Sequence, residues 1–348
     1  MKEKQEKLFV CEFITGGGLS DETLPESLVR EGTMMRDALL RDLQALNQYA
    51  LITLHDARLP QSSLVSKRIT VDAGAFKKTF KKTLKQADLV WLIAPETDGA
   101  LLELTELCLA EEDKVQGAQF LGCGFDATLI GTSKSLTFDT LQAAGIHTLP
   151  VYSGEDLIQP AFFEEILALN VARWVAKPED GAGCEGIRLF DSLAALRDWL
   201  LEDQRYLMYF AQPYQPGINA SFAFLSGGGG QAWLLCCNEQ HISQADQFFK
   251  LTGITVNGMT AYWQRFETLM RKLAKVLPDA LGYVGVDVII DPMTNRIDVI
   301  DINPRLTSSY VGLSEAMGCN AAKLILDSQC DAHFKMPHIQ KNIVEIQL

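Results

Sequence analysis

Residues 285–305 read GVDVIIDPMTNRIDVIDINPR. Two runs rich in Val and Ile flank the turn-forming residues 292–296, so the stretch is expected to fold as an antiparallel hairpin with a five-residue loop. In that register Asp291 pairs with Ile297 and Asp287 falls opposite Asp301. The period of two keeps Asn303 on the same face. Two carboxylates and an amide oxygen on one face repel unless a cation lies between them. Hard oxygen donors of this kind suit Mg2+, which takes water and phosphate to complete its shell. Asp298 is expected on the opposite face as an ordinary exposed acid. A solvated acidic hairpin is the competing reading, but Val286, Val288, Ile290, Val299 and Ile300 make full solvation awkward.

About a hundred residues upstream, Trp174-Val-Ala-Lys177-Pro-Glu-Asp-Gly181-Ala-Gly183-Cys-Glu-Gly186-Ile contains the spacing GxGxxG. A dinucleotide fingerprint needs those glycines to open a helix. Here Ile187–Phe190 reads as a strand, and Asp191-Ser192 caps a helix only afterwards. Strand, glycine loop and strand make a flap over a ligand. Freed backbone N–H groups there can wrap phosphate oxygens, and Lys177 can supply a point charge. A glycine-rich hairpin with a surface lysine is the plainer alternative. Further upstream, Gly131-Thr-Ser-Lys134-Ser puts a lysine in the first turn of a helix, which the helix dipole disfavours unless an anion is close.

Outward from these segments the chain has two textures. The first third alternates apolar runs (Leu8–Ile14, Ala50–Leu54, Ala87–Ala94, Gln119–Gly122) with amphipathic ones (about 32–47 and 98–111), the signature of a parallel α/β sheet with its ligand edge at the strand carboxyl ends. Residues 133–144 form a helix stopped by Gly145, and another spans about 155–170. The chain then turns strand-rich (173–177, 186–190, 206–212, 220–225, 231–238), with Gly227–Gly230 as a hairpin tip, implying antiparallel pairing and an α+β unit. A helix at 262–277 precedes the hairpin, and one at 315–327 follows it. The expected divisions are 1–125, 126–205, 206–330 and a tail, 331–348.

Of the 348 residues, 31 are Lys or Arg and 44 Asp or Glu, a net charge of −13. That argues against a nucleic-acid binder or a basic membrane-surface protein, so a bound nucleotide must be held by a few local cations or a metal. No apolar run is long enough for a membrane span, and the charged start followed by a short apolar run is not a signal peptide. Eight cysteines without CxxC spacing read as reduced thiols of a cytoplasmic protein. The five scattered histidines offer no ligand pair.

A parallel α/β domain, a Lys-bearing helix, a Lys-Pro-glycine flap, a hinge strand and a hairpin ending Asp-x-Asn-Pro-Arg occur in that order. The order resembles the ATP-grasp superfamily of carboxylate–amine ligases across nearly the whole chain, with an N-terminal pre-ATP-grasp domain. The resemblance implies that Lys134 and Lys177 contact ATP phosphates, that Gly181, Gly183 and Gly186 belong to the flap, and that Gln212, Pro213 and Tyr214 form the adenine hinge through backbone groups. It implies Mg2+ (with Mn2+ as a substitute) on Asp287, Asp301 and Asn303, and Arg305 on the γ-phosphate or an acyl phosphate. Many members have Glu where this chain has Asp301, which implies one metal rather than two. Cys11–Gly18, Ala94–Gly99 and Asp301–Ser309 look most like the tyramine–glutamate ligase group of methanofuran and methylofuran assembly. On that likeness Glu12, Gly16, Gly17, Gly18 and Glu96 face the second substrate. A strand acid, a tight turn and a helix cap are their structural alternatives.

The implied chemistry is attack of a substrate carboxylate on ATP to give an acyl phosphate, then attack by an amine. The expected partners are small-molecule acids and amines and, by family habit, a second copy of the chain. A dinucleotide oxidoreductase, a ligase for a different amino-acid or peptide pair, and a non-catalytic nucleotide-binding homologue are the rival readings.

Overall fold

The computed structural model describes residues 5–65, 67–179, 186–331 and 333–348. Strand β1 (Glu6–Glu12) is apolar on both sides because both of its faces are covered. Leu8 and Val10 pack against Leu39 and Leu43, whereas Phe9 and Cys11 meet Phe80 and Leu104. With β2 (Tyr49–Asp56), β3 (Lys67–Val71), β4 (Leu89–Ile93) and β5 (Gln119–Phe120) it forms a parallel sheet in the order β3-β2-β1-β4-β5. Helix Glu26–Leu46 begins six residues before the expected start. It docks against the segment that follows the hairpin. Asp42 on it accepts hydrogen bonds from the Tyr310 hydroxyl (2.8 Å) and the Ser314 hydroxyl (2.7 Å).

The second sheet contains β6 (Tyr152–Ser153), β7 (Trp174–Pro178), β8 (Arg188–Phe190), β9 (Tyr209–Pro213), β10 (Ile218–Gly228), β11 (Gln231–Ala245), β12 (Phe248–Val256), β13 (Leu281–Ile290), β14 (Ile297–Asn303) and β15 (Val344–Gln347). Its order is β14-β13-β10-β11-β12-β8-β7-β9-β6, with β15 added along β12. The antiparallel pairing expected for this half is present. The sheet has a broad plate, β10 to β14, and a small one, β6 to β9. One paired position, Phe248 with Arg188, joins them, helped by hydrogen bonds from Leu189 N and Arg188 Nε to Gln247.

Several elements differ from expectation for visible reasons. Pro160 divides the helix expected at 155–170 into Gly154–Leu157 and Pro160–Leu167. Gly318, at φ +68°, divides the last one into Leu313–Met317 and Ala321–Cys330. Strands β3, β12 and β15 and helix Phe76–Leu84 carry too many polar residues to show as apolar runs, and helix Phe125–Thr132 is short and lacks an amphipathic period. The tail expected from 331 onward thus returns as an edge strand. Five of the described cysteines are buried; Cys319 is half-buried and Cys330 exposed. No helix among the described residues is long and apolar enough to cross a membrane.

Candidate functional site

The two plates of the second sheet face one another across a cavity of about 230 Å³. Lys177 on β7 and Gln212 and Pro213 on β9 line one side, with Tyr214 just beyond. Asp287 on β13 and Asp301 and Asn303 on β14 line the other. Lys134 and Arg305 also reach its surface.

Asp287 does pair with Asp301, but not through the expected register. The turn brings Ile290, not Asp291, opposite Ile297, because the Asp291 carboxylate caps the turn, accepting from Met293 N and Thr294 Oγ1. A bulge between Val299 and Asp301 then restores the Asp287–Asp301 pair. The shifted turn, ahead of the bulge, puts Asp298 opposite Ile289, a residue that lines the cavity with Asp287. Asp298 is only 2% exposed and accepts from Arg296, which corrects the expectation of an exposed acid on the far face. Residues 147 and 148 take up the strand's backbone groups here, through Val299 N to His147 O and Thr148 Oγ1 to Val299 O.

The Lys134 ammonium sits 2.7 and 2.6 Å from the two Asp301 oxygens. This is the anion that its place in the first turn of helix Lys134–Ala143 called for. The preceding helix reaches β14 because Gly131 has no side chain. A Cβ there would lie 2.5 Å from Pro304 Cδ. Burial works against the Lys134 charge, but Asp301, with Glu96 and Asp287 behind it, holds the pKa above its ordinary value. The carboxylate of Asp287 accepts from Gln240 Nε2 (2.7 Å) and Asn303 Nδ2 (3.0 Å). Burial pushes Asp287 up to about 6, and the like charge of Asp301 adds to it.

Two carboxylates and an amide on adjacent strands, opening on one cavity, fit a hard divalent cation. Among the described residues no group of three His, Cys, Asp or Glu side chains forms a metal cage. The donor set is therefore of the kind that water and phosphate complete. Because only the ionised carboxylate ligates well, Mg2+ affinity is expected to fall as pH drops through about 6. The sign for stability is the opposite. The metal-free folded protein holds a proton on Asp287 that the unfolded chain has already lost above roughly pH 4, so stability declines as pH rises from there through about 6. Calorimetric Mg2+ titrations at pH 5 and pH 7 check the first statement, and equal affinities would contradict it.

Arg305 is held by Glu96, with Nε to Oε1 at 2.8 Å and Nη2 to Oε2 at 2.6 Å. Burial opposes the guanidinium charge, and Glu96 outweighs it, with Glu31 and Asp301 adding to the effect. Glu96 itself does not line the cavity. Neither do Glu12 and Gly16–Gly18. Glu12 is buried and folds its own loop, accepting from Ile14 N, Thr15 N and Thr15 Oγ1. None of the five residues expected at the second substrate lines this cavity, and Glu12 and Glu96 are held by the hydrogen bonds just described.

At the hinge the backbone N–H of Tyr214 donates to Arg173 O at 2.9 Å. The hinge also offers a side chain. Gln212 is buried, its Nε2 donates to Leu149 O at 3.3 Å, and its Oε1 has no partner among the described residues. Gly186, at φ +73°, closes against Pro178. Gly181 and Gly183 lie outside the described residues.

Gln240, Glu31 and Ser308 are among the cavity residues that escaped the sequence reading. Gln240 lies beyond the expected end of its strand, although continuing the alternation Asn238, Gln240 would have reached it. Glu31 and Ser308, which are hydrogen-bonded to each other, come together only through the packing of distant segments.

A family model for the ATP-grasp domain matches residues 132–309, just over half of the chain, and one for the pre-ATP-grasp domain matches residues 49–127. The chain belongs to the ATP-grasp family. Solved structures agree on this ATP-grasp fold. An ATP-grasp superfamily protein from Archaeoglobus fulgidus superposes with a TM-score of 0.68 at 22% identity, covering 99% of each chain. N5-carboxyaminoimidazole synthetase from Staphylococcus aureus gives 0.69 at 15%, covering 98% of this chain and 82% of that one. L-amino acid ligase from Bacillus licheniformis gives 0.64 at 14%, covering 94% and 75%. No curated protein sequence matches the chain.

Proposed function

We propose that the protein is a Mg·ATP-dependent carboxylate–amine ligase that forms an amide through an acyl phosphate. The observation that carries this is the cavity itself, with the Lys134–Asp301–Asp287 cluster on the broad plate and Lys177 across from it on the small one. Two of the structural relatives, the L-amino acid ligase and the carboxyaminoimidazole synthetase, bear names that fit such chemistry.

In this reading Gln212 Oε1 accepts an N–H of the base, and Lys134 and Lys177 neutralise phosphate oxygens from opposite sides. Bound Mg2+, held by Asp287, Asp301 and Asn303, would add Lewis-acid stabilisation of the phosphate charge. A substrate carboxylate attacks the γ-phosphorus and ADP leaves. The amine then attacks the acyl carbon, phosphate departs, and the nitrogen loses a proton. Arg305, kept charged by Glu96, faces the acyl phosphate. Val175, Ile187 and Leu149 line the cavity with apolar surface that keeps water from that mixed anhydride.

The narrower reading joins glutamate to an amine such as tyramine in methanofuran- or methylofuran-type cofactor assembly. Its support is the likeness of three segments, of which Asp301–Ser309 contributes six residues to the cavity.

The test is ADP release from purified protein with Mg·ATP, L-glutamate and single amines. Release that needs both an acid and an amine supports the ligase. Lys177→Ala is expected to lower that rate at least ~100-fold, since it removes a charge facing the transferred group. A near-normal rate in this variant would remove Lys177 from the site.

A further inference from the structure

We propose that Glu31 recognises the ammonium group of the amine substrate, an inference that rests on the ligase reading above. Glu31 lies on helix Glu26–Leu46 of the first domain, yet it lines the same cavity as Lys134, Asp287 and Asp301. Its hydrogen-bond donor is neutral, the Ser308 hydroxyl, which donates to Glu31 Oε1. Among the described residues no cation stands within ion-pair distance of it, whereas Glu96 already has its cation in Arg305. Glu31 is therefore an acid at a ligand cavity without an ion pair of its own, since Arg305, whose charge it feels, is bonded to Glu96.

The position is also well fixed. Three turns along the same helix, Asp42 is held by Tyr310 and Ser314, and its carbonyl accepts from Asn320 Nδ2 at 2.8 Å. The helix is thereby locked to the segment that carries Ser308, so Glu31 is presented by a rigid element. Lys134 and Lys177, which line the same cavity, suit anions. A protonated amine fits beside Glu31, where a charge-assisted hydrogen bond is roughly twice as strong as a neutral one. The substrate class is thus a primary amine or amino acid that is cationic at neutral pH, not an uncharged nucleophile.

The experiment compares two nucleophiles in wild type and Glu31→Gln. One is the most effective of a panel of primary amines led by tyramine. The other is hydroxylamine, which is uncharged at neutral pH and traps an acyl phosphate as a hydroxamate. The glutamine is isosteric and still accepts from Ser308. The expected result is a rise of about 10- to 100-fold in the KM for the amine, against less than a roughly threefold change in the hydroxylamine rate and in the KM for Mg·ATP. Glu31→Asp is expected to fall between the two. Equal losses with both nucleophiles would make Glu31 a structural contact and overturn the proposal. So would an unchanged amine KM, or hydroxamate formation in a wild type that no amine accelerates. If wild type releases ADP with neither nucleophile for any acid, the ligase reading itself fails, and that outcome is separate from the others.

Discussion

Asp301→Ala is expected to lower Mg·ATP-dependent turnover at least ~100-fold. The carboxylate has two tasks in the structure. It faces Asp287 across the hairpin, completing the acidic pair expected to hold the metal, and it takes both hydrogen bonds from the Lys134 ammonium. Removing it leaves a buried lysine without its partner and Asp287 without a second carboxylate. Mg2+ affinity should fall along with turnover, whereas Asp301→Asn, which preserves shape, should fold normally and lose activity to a similar extent. Initial-rate assays with a Mg2+ titration check both. Turnover within a few-fold of wild type in Asp301→Ala would take this residue out of the metal site.

Glu96→Ala is expected to cost about 3–5 kcal/mol of folding stability, because it strands a buried guanidinium. Glu96 is 3% exposed and holds Arg305 through two parallel hydrogen bonds, a geometry that water cannot replace at that depth. A double variant, Glu96→Leu with Arg305→Met, removes both charges and should recover most of the stability. It should not recover turnover if Arg305 meets the acyl phosphate. Urea unfolding of the three proteins, with rates measured alongside, separates the structural cost from the functional one. Full stability in Glu96→Ala would mean that the pair contributes nothing to the fold.

The architecture was legible where physics is local. Apolar runs flanked by turn residues marked four of the five strands of the first sheet, all but β3, and Ser133 and Gly145 marked both ends of the helix that carries Lys134. The acidic pair was legible too, though by two compensating shifts. The turn is one residue out of the expected register, and the bulge in β14 corrects it before Asp301. Asp298 lies between turn and bulge, and so its face was misread. Bulges and capped turns are set by side-chain hydrogen bonds, such as those to Asp291, which hydrophobic alternation does not encode. What spacing cannot supply is the meeting of remote segments. Glu96 and Arg305 are 209 residues apart, and Glu31 and Ser308 are 277 apart. Their encounter follows from how the first domain docks on the hairpin.

The narrow junction in the second sheet has a mechanical meaning. β11 and β12 pair from Glu239–Thr255 to Ala245–Phe248 with one bulge after His241, but among the described residues β12 and β8 pair only at Phe248 and Arg188. A sheet bends where its cross-strand bonding is thinnest, so this waist is the compliant point between two stiff plates. A second attachment, where residues 147 and 148 grip Val299, fixes another point of the small plate's path. Bending at the waist would change the gap between Lys177 and the Asp287–Asp301 pair while leaving the pairing within each plate intact.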